Sequence, residues 1–454
     1  MVVIFNTMTN SSKQSRIATA KDLPEFADAA QGLTKALRIP TIAPLLNDDS
    51  TSTTAFYQFH QWLQQQYPAI FNNPNVEWQR FDNFSLVGKW IGRSSELPPI
   101  VLVAEQFSSE PSLEHIPEWT FNPFMGKIDQ GYIYGRGTQN GKAAMLALLE
   151  SFNTLVKKDI LPSRTIYFAF PHNAQQAELA IISALKQAQI QPEFILRTGG
   201  LIAQNMFWEI QQPTALIGIG KPSIMQAQIA AQHADAFNIV KKESNQLAQD
   251  LPILDVEHPV LEQFIAYLSP ELDFGNRTIF SNAWLLSTIQ EKKLQQNKLV
   301  QQLFGNSLQI ECAADTAANT STALLTFFGQ KPYKDLDQWI KNRLQHPQVH
   351  LLGESRVLYH NSKLAAIDNR AYRVIGNTAK EIFPNLLTMP VLVNNTSTTN
   401  WEAHLNTDIY YFHPVIYTAE TWEKAQRGID DKISIKNYTQ MIQYYHQLLL
   451  NTIE

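Results

Sequence analysis

"GYIYGRGTQNGKAAM", residues 131–145, reads as a glycine-rich loop that grips a charged group and then launches a helix. Behind it, Met145, Leu148, Leu149, Phe152, Leu155 and Val156 recur at helical spacing and make one apolar face. The loop is not a phosphate loop. Gly137 and Gly141 stand one residue too close, and Ala143 occupies the place of the hydroxyl that would hold magnesium. Its centre carries the amides Gln139 and Asn140 where a charge-gripping loop would carry an acid.

Strand and helix alternate around this loop. "SLVGKWIG" (85–92), "PPIVLVAEQ" (98–106), "RTIYFAF" (164–170) and "EFIL" (193–196) read as strands, the second as a short apolar run of a central sheet. "TAFYQFHQWLQQQYP" (54–68) and "AELAIISALKQAQ" (177–189) read as helices. The order predicts an α/β fold of the hydrolase type, a mostly parallel sheet with helices on both faces. From 223 to 350 it changes to strand, helix, a longer helical excursion, two strands, helix and strand, which is the ferredoxin-like split βαβ arrangement. The expected organisation is therefore an α/β domain in two parts, 1–222 and 351–454, interrupted by an α+β lid at 223–350.

Composition narrows the function classes. Thirty-six Lys and Arg against 41 Asp and Glu leave no basic footprint for nucleic acid. No polybasic run flanks an apolar stretch, so no membrane partner is expected. The single cysteine, Cys312, rules out an intrachain disulfide or a cysteine zinc motif and reads as an ordinary core residue. The opening "MVVIFNTMTNSS" is too poor in apolar residues for a signal peptide, and a cytoplasmic location is expected by default.

In open α/β sheets, ligands bind beyond the carboxyl ends of the strands. The loops there are 104–111, 135–142, 171–178 and 197–202. They offer Glu105, Glu110, His172 and Glu178, and two of these acids lie in helix-like or flanking positions. On residue types alone this is a poor zinc site.

Taken together, "PPIVLVAEQ", "EWTFNPFMGKIDQGYIYGRGTQNGK", "RTIYFAFPHNAQQAE", "EFILRTGGLIA" and "ALIGIG" resemble the aminoacylase, carboxypeptidase S and succinyl-diaminopimelate desuccinylase group of M20-type di-zinc peptidases. The resemblance runs from about residue 40 to 452. It implies a di-zinc domain with an inserted lid that usually dimerises, and it also shows what has changed. Glu105 stands at the family's first ligand histidine, and Phe107 at the aspartate that orients it. Asn140 replaces the bridging aspartate, which accounts for the amide in the opening loop. Ala174 and Gln175 replace the general base and the next ligand, Arg197 a ligand aspartate, and Arg427 the final ligand histidine. His172 matches a motif histidine that is not a ligand. Thr399 takes the place of the arginine that holds a substrate carboxylate. The lid positions His233 and Asn319 are retained.

All three carboxylates that would balance two zinc ions are absent, and two fixed cations stand at ligand positions. That set is self-consistent only without metal. The expectation is a non-catalytic homologue, a pseudoenzyme serving as a binding or dimer-forming scaffold with no cofactor, in which Glu105 pairs with Arg197, Arg427 or both. Two alternatives stand beside it. One is a metallohydrolase of N-acyl amino acids or dipeptides with zinc in a rewired centre of Glu105, His172 and a neighbour. The other is a metal-free hydrolase using Ser397 or Thr398. A homodimer through the inserted domain, an active relative or a small-molecule ligand are the expected partners.

Overall fold

The computed structural model describes residues 1–42, 52–139, 141–173, 176–233, 235–251, 258–315, 319–329, 335–361, 363–393 and 399–453. Two compact units emerge. One comprises Lys13–Ile219, Ala365–Pro390 and Thr399–Glu454; the other comprises Met1–Ser12, Gly220–Leu364 and Val391–Thr398.

A ten-stranded sheet organises the first unit. Its strands run in the order Val76–Phe81, Ser85–Trp90, Ile166–Phe170, Ile100–Val103, Phe194–Arg197, Asp408–Tyr411, Thr214–Gly220, Leu201–Ala203 and Ile416–Tyr417, and Leu387–Leu392 pairs with Thr214–Gly220. The four strands from Ile166–Phe170 to Asp408–Tyr411 are mutually parallel. Antiparallel pairs flank this centre on both sides. Three of the central strands, Ile166–Phe170, Ile100–Val103 and Phe194–Arg197, are buried at every position. Unbroken burial without polar alternation is the mark of strands covered on both faces.

Two groups of helices provide that cover. Gly141–Lys157 packs against the C-terminal helix Ile435–Ile453, which also meets Arg370–Ile382. Phe152 anchors the first of these helices, stacking on Phe168 at 4.3 Å and lying 4.9 Å from Trp90. Gln176–Gln187 lies over the strands Val76–Phe81 and Ser85–Trp90 and touches the short helix Trp401–Leu405.

The second unit has a smaller antiparallel sheet in the order Ser307–Asp315, Thr320–Gly329, Ser223–Gln232 and Val349–Leu351, with Arg356–Tyr359 also paired to Ser223–Gln232. The helices Ala236–Gln249 and Leu336–Lys341 close its core over Val240, Leu247, Leu325, Phe327 and Ile340. Strand order and connections are those of the expected ferredoxin-like arrangement. The helical excursion comprises Pro259–Leu268, Phe274–Ser281, Ala283–Gln296 and Lys298–Phe304, and the helix Val2–Thr9 packs against Phe274–Ser281.

Two predictions follow from the packing of the larger unit. Phe152→Ala should cost about 3–5 kcal/mol by chemical denaturation, because the space between two fixed rings cannot collapse. His446 is buried with neither ring nitrogen hydrogen-bonded among the described residues. Burial, with Lys158 adding, pushes its pKa down to about 4. A depressed histidine pKa adds stability above its unfolded value near 6.5, and that stability is lost as the pH falls towards 4. Between pH 7 and 5 the loss from this group should be on the order of 2 kcal/mol. His446→Leu should flatten the acid limb of a stability–pH curve.

Candidate functional site at the strand ends

Parallel register brings the key residues together. Arg197 ends its strand level with Val103 on one neighbour and Tyr411 on the other. Glu105 lies just past the end of the Val103 strand. Thr198 extends the pairing through its N–H to the Val103 carbonyl at 3.2 Å. The turn after Glu105 is held by Gln106, fully buried, whose side-chain amide donates to the carbonyls of Phe84 at 2.5 Å and Phe170 at 2.8 Å. His60 Nε2 meets the Gln106 side-chain oxygen at 2.8 Å, and the Thr41 hydroxyl donates to the Gln106 carbonyl at 2.6 Å.

The Arg197 side chain is 1% exposed. Its two terminal nitrogens donate to the two oxygens of Glu178 at 2.9 and 2.6 Å, a bidentate fork. The Trp401 indole N–H donates to the same carboxylate at 2.8 Å, and the guanidinium lies 5.4 Å from the Trp401 ring centre and 6.0 Å from that of Tyr411. Glu105 approaches the guanidinium to 3.7 Å while accepting a hydrogen bond from the Thr198 hydroxyl. Burial opposes the charge of Arg197, but Glu178, with smaller help from Tyr411 and Glu105, overrides it and raises the pKa. The cation is permanent.

The sequence expectation of a Glu105–Arg197 pair is met only as the longer contact. The principal partner is Glu178, in the helix-like position that counted against it. A readable signal marked it: Ala177, Glu178, Ile181, Ile182 and Leu185 form the buried face of their helix, and Glu178 is the acid among them. An acid on an apolar face demands a buried cation. Trp401 had no comparable signal. Its place depends on a five-residue helix whose N-cap, Asn400, accepts from the Ala403 N–H at 2.9 Å.

Arg427 goes elsewhere. It is exposed and donates to Glu118 at 2.5 Å, so the expected Glu105–Arg427 alternative does not form. His172 is buried among Phe56 and Phe84, with Nδ1 2.9 Å from the Ser85 hydroxyl and Nε2 3.1 Å from the Asn173 amide. Burial lowers its pKa, against a pull from Asp82. Its contacts share no residue with those of Glu105. Thr399 is buried. In the second unit His233 and Asn319 are joined by a backbone hydrogen bond of 2.9 Å, and His233 Nδ1 accepts from the Asp235 N–H at 3.0 Å. Both are exposed. Asn140, Ala174, Gln175, Ser397 and Thr398 lie outside the described residues.

The opening loop is pinned on both sides of position 140. His413 accepts from the Gly199 N–H at 3.1 Å and donates from Nε2 to the Gln139 carbonyl at 2.6 Å. Arg136 pairs with buried Asp431 at 3.2 Å. Burial raises the Asp431 pKa against that pairing. Lys142 is buried, donating to the carbonyls of Ala36 at 3.2 Å and of Ile39, and burial brings its pKa down to about 7. Gly141, at φ +36°, sits where an added Cβ would meet the Phe107 carbonyl oxygen at 2.7 Å. A side chain there would push the loop off the turn that carries Glu105.

Residues 111–451 match the peptidase family M20/M25/M40. The chain belongs to that family. Among its relatives, a probable carboxypeptidase S-like 2 of Dictyostelium discoideum is 25% identical, over 100% of this chain and 92% of its own length. Human N-fatty-acyl-amino acid synthase/hydrolase PM20D1 is 23% identical, covering 99% and 94%. Human carnosine dipeptidase 1 superposes with a TM-score of 0.63 at 11% identity, over 100% of this chain and 99% of that one. The M20 family metallo-carboxypeptidase Sso-CP2 of Sulfolobus solfataricus superposes at 0.60 and 14%, over 94% and 100%. At such identities the structural matches speak to the fold alone.

A family metal was tested against the donors present. At the described ligand positions stand a carboxylate already bonded to Thr198, a guanidinium 3.7 Å from it, and an exposed arginine paired to Glu118. A divalent cation beside a permanent guanidinium is repelled, and arginine has no lone pair to give. Among the described residues, no group of three or more His, Cys, Asp or Glu side chains is placed to hold a metal. These donors do not fit the family's metal pair.

The ion pair makes a measurable prediction. Arg197→Met strands the Glu178 carboxylate in the interior and should cost about 3–5 kcal/mol in urea unfolding. The double variant Arg197→Met/Glu178→Leu should recover most of that loss. Additive losses in the double variant would mean that the two side chains are not coupled.

Proposed function

We propose that this M20 family member is a non-catalytic scaffold that binds a ligand or partner without hydrolysing it. One observation carries the reading: the strand-end position where the resemblance places a metal-binding aspartate holds Arg197, locked in a bidentate pair with Glu178. Hydrolysis in a di-zinc centre needs an activated metal-bound water and a base to move its proton. Neither has a group to build on in the residues described, since Glu105 is engaged by Thr198 and Arg197. The role of the inserted unit in this reading is to present a surface for a homodimer or for an active relative, with His233 and Asn319 at the end of its paired strands.

The curated relatives keep a second reading in play. Those named hydrolases act on N-fatty-acyl amino acids, and a rewired centre here would be a hydrolase of N-acyl amino acids or dipeptides. Metal analysis decides between the two. The purified chain is incubated with excess zinc, desalted and assayed for metal, alongside hydrolysis of N-acyl amino acids and dipeptides. The scaffold reading expects well under one zinc per chain and no turnover that chelation abolishes. Stoichiometric zinc with chelator-sensitive turnover would replace it with the hydrolase.

A further inference from the structure

We propose that the second unit carries a docking surface for an anionic lipid bilayer, formed by the helix Val2–Thr9 together with the exposed face of Ala283–Gln296. The first helix is inverted relative to a normal surface helix, which buries its apolar stripe and shows its polar one. Its polar side faces inward. Asn6 donates to the Asn282 side chain at 3.1 Å, buried Asn282 donates to the Thr7 hydroxyl at 3.2 Å, and Asn10 donates to Ser269 and Ser281 at 2.7 and 2.8 Å. Its outward side is Ile4, Phe5 and Met8, at 56, 65 and 75% exposure. The hydrogen bonds lock this orientation, because turning the helix over would bury Phe5 and strand the amide network.

The patch continues across Asn282. Directly after it, Trp284 and Leu285 are 66 and 56% exposed, and Ile289 follows one turn later at 48%. Exposed apolar groups contributed by two contiguous helices form a docking surface rather than scattered single residues. Charge selects the occupant. Residues 1–12 bear no charged side chain, and 274–304 hold Arg277, Lys292, Lys293 and Lys298 against the single acid Glu291. In a chain of net charge −5 this segment is locally cationic. Apolar side chains with a tryptophan, bordered by lysines, match the boundary between acyl chains and anionic headgroups. The sequence expectation of no membrane partner looked for one continuous basic–apolar run. Here the apolar groups come from segments more than 270 residues apart and meet only in the fold. Among the described residues no helix is long and apolar enough to cross a membrane. The attachment proposed is peripheral.

The test is sedimentation of the full chain with vesicles of phosphatidylcholine alone and of equal parts phosphatidylcholine and phosphatidylserine, at low and high salt. Binding to the mixed vesicles, weakened by salt, is expected, and Phe5→Glu or Trp284→Glu should each reduce it about tenfold or more. Both side chains are exposed, so both variants should retain the parent melting temperature. Absence of binding by the parent chain, or binding unchanged in both variants, overturns the proposal. So does salt-insensitive self-association that Phe5→Glu abolishes, which would assign the patch to a second copy of the chain.

Discussion

A guanidinium with almost no solvent exposure, gripped by both oxygens of one carboxylate, is the constraint around which the larger unit is arranged. Taking either charge out of water alone would cost several kcal/mol. The pair therefore requires that the central strand deliver Arg197 and that the helix Gln176–Gln187 deliver Glu178, at fixed depth and angle. Trp401 satisfies one carboxylate oxygen further and covers the cation with its ring. Glu105 then stands second in line, held by Thr198 and near enough to feel the guanidinium without forming its fork. Strand register, helix placement and the turn pinned by Gln106 are all needed for this one arrangement.

The surrounding loops show the same economy. His413 ties two of them by accepting from one backbone and donating to the other. Lys142 neutralises no acid; it caps carbonyls near the end of the helix Ala29–Leu37, in surroundings apolar enough to bring its pKa close to neutrality. These are structural uses of residue types that often perform chemistry elsewhere. They show why charged or titratable residues near a strand end do not by themselves define an active centre.

Much of the fold was legible because the central strands are uninterrupted apolar runs and the helices keep their period, as the faces through Phe152 and Tyr444 show. The inserted unit was legible from the order of its elements. The antiparallel flanks of the large sheet were not, since "VEWQRF" alternates weakly and borrows its regularity from pairing with Ser85–Trp90. At the site, Arg197 and Glu105 were readable from their place after strands. Glu178 was readable in principle, from its position on a buried helical face. Trp401 was not, because five residues carry no period, and the partner of Arg427 was not, because Glu118 lies 309 residues away. Long-range choice among several acids is a property of the folded chain.

The buried pair also limits the substitutions open to this lineage. Restoring an aspartate at position 197 alone would leave it with Glu178 and Glu105 and no cation to balance them, an arrangement less stable than either end state. Removing Glu178 first would strand the arginine instead. Any route back to a metal-binding donor set must change both residues nearly together, or pass through a poorly folded intermediate that selection would discard. The ion pair thus works as a ratchet, holding the chain to its present chemistry through the cost of every single step away from it.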